Sequence, residues 1–241
     1  MSISKKSQSF FADPLNAAGI AKKSLVMFFL IDTSGSMKGT KMGELNTAME
    51  ELIPEIRRVG AADTDVKAAV LTFSSDVSWI TPQPVPIESF EWSRLRADGE
   101  TNMGEAFREL NSKLSRSAFM NAPSLSYAPV IFLMTDGYPS DEYREYLEQL
   151  SENTWFRYAI KTALAIGSDT NDRMLERFTG DKDTIVHTST GDELVKIIKT
   201  IAVTSAQIGS RSMTLSAYSG EETTENDVYS AKQKQLGQQL Q

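Results

Sequence analysis

The sequence predicts an α/β fold in which a doubly wound, mostly parallel sheet carries helices on both faces. Two observations lead to this prediction. Continuously apolar runs, such as residues 25–31 and 130–134, are typical of central strands that are covered on both sides. Amphipathic segments with helical spacing, such as residues 102–116, alternate with these runs along the chain. Strands that alternate with helices favour parallel pairing, because each crossover helix packs back onto the sheet.

The individual elements follow in order along the chain. Prolines at positions 82 and 84 follow a short apolar segment at 77–80, which is therefore predicted to be an antiparallel edge strand. Pro54 lies inside the first helical pattern and removes an amide donor, so it predicts a kink or a restart of that helix. The predicted strands are 25–31, 67–73, 77–80, 130–134, 158–166 and 185–186, and the predicted helices are 42–58, 102–116, 141–150, 174–178 and 194–201.

Composition divides the chain of 241 residues into three segments. Residues 1–23 form a polar N-terminal arm. Residues 24–207 carry the predicted strands and helices, and they are numerous enough to bury a sizeable core. Residues 208–241 form a polar C-terminal tail rich in Ser, Thr, Glu and Gln, in which little periodicity is visible.

Charge and cysteine usage exclude several classes of function. The formal net charge of -7 argues against a nucleic-acid or anionic-membrane partner, because phosphate binding requires clustered Lys and Arg. The chain has no cysteine, which rules out disulfides, iron–sulfur clusters and thiol nucleophiles. The apolar run at 25–31 is too short to span a bilayer, and no small-residue cleavage pattern follows it. We therefore expect a cytoplasmic protein.

Oxygen-bearing side chains follow the first predicted strand at the point where it ends. Asp32, Ser34 and Ser36 occupy alternate positions, so their oxygens can converge on one point above the strand end. Asp136 is the first acidic residue past another predicted central strand, and Thr101 lies in a loop between the two. Convergent hard oxygens suit Mg²⁺, Mn²⁺ or Ca²⁺, whereas zinc and copper prefer nitrogen and sulfur. Each residue alone is also explained as a helix cap or a turn residue.

The three segments resemble the metal-ion-dependent adhesion site of von Willebrand factor A domains. Residues 32–36, with the pattern Asp-x-Ser-x-Ser, resemble its first loop; 99–103 resemble its second and 134–137 its third. They occur in the family's order, and the resemblance covers roughly residues 24–208. It implies a Mg²⁺ site, with Ca²⁺ or Mn²⁺ as alternatives, whose ligands are Asp32, Ser34, Ser36, Thr101 and Asp136.

In this family an open coordination position receives a Glu or Asp from a protein partner, so the resemblance implies a partner-binding rim around the ion. Glu100 stands where many members of the family carry Gly. Its carboxylate can tighten cation binding, repel an acidic partner or point outward. The expected rim residues are Gly35, Met37, Glu100, Asn102 and Gly137.

Within the family, the sequence is most similar to the small bacterial proteins of tellurium-resistance gene clusters, the TerY-like group. The similarity lies in residues 29–37 and 134–137 and extends through 165–167 and 178–180. It implies a non-enzymatic interaction module of a stress response, with a protein kinase and a phosphatase as partners.

Two other functions stay open. The chain could be a subunit of a metal-chelatase or AAA+ ATPase machine, since these also use such domains. A Mg²⁺-dependent phosphohydrolase with Asp32 as nucleophile is disfavoured, because Ser34 stands where such enzymes need a second carboxylate. His187 is the only histidine, and no phosphate-binding loop is present, so we expect no catalysis.

Overall fold

The computed structural model describes residues 22–59, 64–121, 126–168 and 170–188, together with parts of 190–201 and of 231–238. Nearly all of the predicted N-terminal arm over 1–23 and most of the tail over 208–241 lie outside these residues.

Strands and helices alternate along the described chain. The strands are β1 (Lys23–Asp32), β2 (Thr64–Phe73), β3 (Val77–Trp79), β4 (Val85–Pro86), β5 (Val130–Thr135), β6 (Ile160–Ile166) and β7 (Ile185–Thr188). The helices are α1 (Thr40–Val59), α2 (Met103–Lys113), α3 (Tyr143–Glu152), α4 (Thr154–Tyr158) and α5 (Asp172–Thr179), and short 3-10 turns occupy Gly35–Met37 and Lys182–Thr184.

All seven strands belong to one sheet, in the order β3-β2-β1-β5-β6-β7, with β4 also paired to β2. The strands β2, β1, β5, β6 and β7 are parallel, whereas β3 and β4 are antiparallel to β2. The predicted mostly parallel fold and its antiparallel edge strand are confirmed; the two-residue β4 was not predicted. The next strand along the chain, β2, pairs with one edge of β1, and the later strand β5 pairs with its other edge. The strand order therefore reverses between β1 and β5, where α/β sheets bind their ligands.

The core lies in two layers, one on each face of the sheet. Alternate residues of β1 point to opposite faces: Phe29 belongs to the layer under α1, and Phe28 to the layer under α2 and α3. On the first face Phe29 stacks on Phe132 of β5, with ring centroids 5.1 Å apart. Burial on both faces explains why residues 25–31 of β1 and 130–134 of β5 are apolar at every position.

The predicted restart of the first helix at Pro54 needs correction. The helix α1 continues through Pro54 to Val59, so it does not restart there. Leu52, Ile53 and Ile56 are buried around the proline, and this packing outweighs the single lost amide donor.

Part of the predicted polar tail packs against the sheet. The described residues within 231–238 are helical. The side-chain amide of Gln233 accepts a hydrogen bond from the Lys161 amide at 3.2 Å and donates one to the Lys161 carbonyl at 2.6 Å. It therefore satisfies backbone groups of β6 at a point before the pairing with β7 begins.

A glycine sets how closely α2 approaches α3. A Cβ on Gly104 would lie 2.8 Å from the Cα of Tyr143, whereas Gly43 in α1 has open space around it. We expect Gly104→Ala to lower the free energy of unfolding by about 1–3 kcal/mol through overpacking. The control Gly43→Ala should raise it by about 0.5–1 kcal/mol through helix propensity. Urea unfolding measures both, and equal effects of the two substitutions would contradict this packing.

Candidate metal centre

Asp32, the last residue of β1, ties the loop after β1 to the end of β5. Its carboxylate is completely buried. One oxygen, Oδ1, accepts a hydrogen bond from the Ser34 amide at 2.8 Å, and Oδ2 accepts one from the Thr135 hydroxyl at 2.6 Å. Both oxygens are thus held by groups of the protein, and the direction of the side chain is fixed.

Burial raises the pKa of Asp32 above its ordinary value, because the low-dielectric interior disfavours the charged carboxylate. The hydrogen bonds from Ser34 and Thr135 lower the pKa but do not offset the burial. The nearby carboxylate of Asp136 raises it further by charge repulsion. A divalent cation would remove this conflict by compensating both negative charges.

A chain of hydrogen-bonded oxygens connects the ends of β1 and β5. The hydroxyls of Ser34 and Ser36 lie 3.0 Å apart. Ser36 donates a hydrogen bond to Oδ1 of Asp136 at 2.7 Å, and Asp136 is buried immediately after β5. The structure therefore brings Asp32, Ser34, Ser36 and Asp136 together at the point where the strand order reverses.

The loop that carries Thr101 lies against the same edge. The Gly35 amide donates to the Gly99 carbonyl at 2.8 Å, which joins the loops after β1 and before α2. Gly99 has a φ of 85°, and a Cβ there would lie 2.6 Å from the Ser75 hydroxyl. The close approach of this loop to Ser75 therefore requires glycine. Thr101 itself is buried, and its amide donates to the Ser140 hydroxyl at 2.9 Å.

The residues expected on the rim differ in their exposure. Glu100 is exposed, and Gly35, Asn102 and Gly137 are partly exposed at this edge. Met37 is completely buried in the core layer under α1, so its placement on the rim was wrong. The 3-10 turn at Gly35–Met37 directs its side chain inward, where an apolar residue contributes to packing.

Two residues of the site were missed by the sequence analysis. Thr135 is the last residue of β5, directly after the apolar segment, and the contact of its hydroxyl with Asp32 is recognisable only once β1 and β5 are paired. Lys41 in the first turn of α1 places its ammonium group 2.5 Å from Oδ2 of Asp136. A lysine in a first helical turn opposes the helix dipole, and this was the available signal.

The chemistry of these donors fits a hard divalent ion. The structure brings the hydroxyls of Ser34 and Ser36 together with the carboxylates of Asp32 and Asp136, and Thr101 lies in the adjoining loop. No group of three or more His, Cys, Asp and Glu side chains that could hold a metal occurs among the residues described. His187 is exposed on β7, with Nε2 3.3 Å from a carboxylate oxygen of Asp172. A metal at this edge would therefore depend on neutral hydroxyls.

Comparison with known proteins identifies the fold family. The sequence profile of the von Willebrand factor type A domain matches residues 27–201, more than half of the chain. The chain belongs to this family. Its members commonly mediate protein interactions and metal binding. A search of curated proteins found no match.

Solved structures of several other proteins share this fold. A von Willebrand factor type A protein from Catenulispora acidiphila has 18% identity and a TM-score of 0.56, over 77% of this chain and 43% of that one. Proximal thread matrix protein 1 from the mussel byssus, with a zinc-occupied MIDAS motif, has 17% identity and a TM-score of 0.58, over 77% and 48%. BatB from Bacteroides thetaiotaomicron has 17% identity and a TM-score of 0.53, over 76% and 99%. This chain thus spans less than half the length of the first two proteins.

Among the residues described, no helix has both the length and the apolar character that crossing a membrane requires.

The burial of Asp32 predicts that its carboxylate destabilises the metal-free protein, although the proposed metal site requires it. Because its pKa is raised, the folded state holds the proton more tightly than the unfolded chain. The metal-free protein should therefore lose stability as the pH rises from the ordinary pKa of Asp through the folded-state value. We expect Asp32→Asn to abolish this loss and to raise the melting temperature in EDTA at neutral pH.

Asp98→Asn is the matched control for this prediction. Asp98 is exposed on the same edge, and its pKa is lowered by the hydrogen bond from Lys38, so its removal should not stabilise the protein. Melting curves in EDTA between pH 4 and pH 8 measure both variants. A lower melting temperature for Asp32→Asn than for the wild type would contradict this predicted destabilisation by the buried carboxylate.

Proposed function

We propose that this chain is a non-enzymatic, Mg²⁺-dependent protein-interaction module whose metal binds a Glu or Asp side chain of a protein partner. The observation that carries the proposal is the oxygen chain from Ser34 through Ser36 to Asp136. It lies at the strand-order reversal, beside the buried carboxylate of Asp32.

The ion would be held by the hydroxyls of Ser34, Ser36 and Thr101, with Asp32 and Asp136 binding directly or through water. Mg²⁺ takes six oxygen ligands and readily keeps water, so at least one position stays exchangeable. Neutral hydroxyls leave the ion electron-poor, which favours capture of an incoming carboxylate. The mussel protein holds zinc in its motif; for this chain we propose Mg²⁺ because every donor is an oxygen, with Ca²⁺ or Mn²⁺ as alternatives.

Catalysis is disfavoured by the surroundings of Asp32. Both of its oxygens accept hydrogen bonds and the residue is completely buried, so it is a poor nucleophile for a phosphate ester. Lys41 could contact a phosphate, but Ser34 offers a hydroxyl where a phosphohydrolase requires a carboxylate. His187 pairs with an exposed residue of α5, which disfavours a role as a general base at this edge.

The cellular setting follows from the sequence resemblance. Similarity to the TerY-like group supports a cytoplasmic role in a tellurium-resistance or stress-response system, with a protein kinase and a phosphatase among the partners. A subunit of a metal-chelatase or AAA+ machine is the second candidate. The profile match that covers residues 27–201 is compatible with either. Neither role requires nucleic acid or membrane binding.

Metal binding should stabilise the folded protein. If Mg²⁺ binds only the native state, a concentration one hundred times its dissociation constant adds about 2.7 kcal/mol to the free energy of unfolding. Urea unfolding in EDTA and in excess Mg²⁺ measures the gain, and Asp32→Ala should abolish it. Superimposable unfolding curves of the wild type in the two buffers would rule out the site.

Loss of the metal should remove partner binding but leave the fold intact. Partners are captured from extract on immobilised wild-type protein with Mg²⁺ and then titrated. We expect Asp32→Ala and EDTA each to weaken binding by about 2–5 kcal/mol. Asp98→Ala, which removes an exposed carboxylate from the same edge, is the control and should change little.

The same titration defines the role of Glu100. Glu100→Gly should strengthen binding if the carboxylate repels the partner, and should leave the affinity nearly unchanged if it faces solvent. Equal affinity of wild type and Asp32→Ala, insensitive to EDTA, would show that the partner binds elsewhere.

A further inference from the structure

Lys41 forms an ion pair with one oxygen of Asp136 while the other oxygen faces Ser36. The ammonium group lies 2.5 Å from Oδ2, and the Ser36 hydroxyl donates to Oδ1 at 2.7 Å. The Asp136 side chain has no exposed surface, whereas that of Lys41 is 37% exposed. The pair is therefore partly desolvated, and it differs from the exposed pair between Lys38 and Asp98 on the same edge.

The fold makes room for the lysine at the end of a third strand. Gly167 follows β6 with a φ of 92°, and a Cβ at this position would lie 3.3 Å from Cε and 3.6 Å from Nζ of Lys41. A larger residue would press against the lysine side chain. The residue after β6 thus lies against the Lys41 side chain that reaches Asp136.

The position of Lys41 is unfavourable for the helix that carries it. The first turn of α1 contains no acidic residue, whereas the first turns of α2 and α5 contain Glu105 and Asp172. A cation in the first turn opposes the positive end of the helix dipole. Helix stability therefore does not explain this lysine, and its contact with Asp136 does.

We propose that Lys41 is a fixed cation of the metal centre that weakens metal binding and strengthens binding of the partner's carboxylate. The proposal rests on the proposed function. A divalent ion and the carboxylates of Asp32 and Asp136 would cancel in charge. The ammonium of Lys41 leaves one positive charge in surplus, which a single incoming carboxylate neutralises. The same ammonium repels the metal ion.

This charge balance predicts opposite effects on two measured affinities. Removing the charge in Lys41→Met should tighten Mn²⁺ binding by about tenfold and weaken binding of acetate to the Mn²⁺-loaded protein by about tenfold. A lysine that only supports the local structure would weaken both when removed. Titration calorimetry measures Mn²⁺ affinity, and broadening of the acetate methyl resonance by bound Mn²⁺ measures acetate affinity.

Two further variants complete the experiment. Lys41→Gln keeps a hydrogen-bond donor for Asp136 without the charge, and it should show the same pair of shifts. Lys38→Met removes a charge from the exposed pair with Asp98 and should change both affinities by less than about twofold. Circular dichroism confirms that each variant is folded.

The outcomes separate the two proposals. If the wild type binds Mn²⁺ but both Lys41 variants bind Mn²⁺ with an equal or lower affinity, the role of Lys41 is overturned and the metal site stands. The same conclusion holds if both variants bind acetate with unchanged affinity. If the wild type and all variants bind no Mn²⁺, both proposals fail. Binding of Mn²⁺ by Lys41→Met alone would support competition between the ammonium and the ion.

Discussion

Two buried carboxylates at the ends of adjacent parallel strands impose the constraint on which this site depends. Asp32 ends β1 and Asp136 follows β5, so pairing of the two strands places like charges close together in a region with little solvent. The surrounding groups compensate in different ways. Thr135 and the Ser34 amide donate hydrogen bonds to Asp32, while Ser36 and Lys41 donate to Asp136. These contacts lower the electrostatic cost, yet the pKa of Asp32 stays raised, so the remaining compensation would come from a proton on Asp32 or from the divalent cation that we propose.

The sheet makes this arrangement rigid. Apolar layers cover β1 and β5 on both faces, so the strand ends cannot separate to relieve the repulsion. Backbone hydrogen bonds then join the loops to each other: the Gly35 amide donates to the Gly99 carbonyl, and the Ser140 amide donates to the Thr101 carbonyl at 2.9 Å. The hydroxyl oxygens are therefore held in position by the loops as well as by their own side chains. Such preorganisation lowers the cost of binding an ion and its partner.

The sequence predicted those features that depend on strand periodicity. Apolar runs located the central strands, and the residues that follow them had to meet at one edge, which brought Asp32, Ser34, Ser36 and Asp136 together. Side-chain direction within the loops could not be read in the same way, because the 3-10 turn points Met37 into the core. The helix α4 and the strand β4, with five and two residues, are too short to produce a periodic pattern.

Lys41 was missed because a helical lysine normally lies in solvent. We propose that the ion is bound by hydroxyls at the edge of the sheet where β1 and β5 end. The most direct test is a crystal of the wild-type protein grown with Mn²⁺, with anomalous diffraction data. We predict one strong anomalous peak at coordination distance, about 2 Å, from the hydroxyl oxygens of Ser34, Ser36 and Thr101. A well-ordered edge without a peak, with Mn²⁺ bound only at exposed carboxylates, would contradict the proposed metal site.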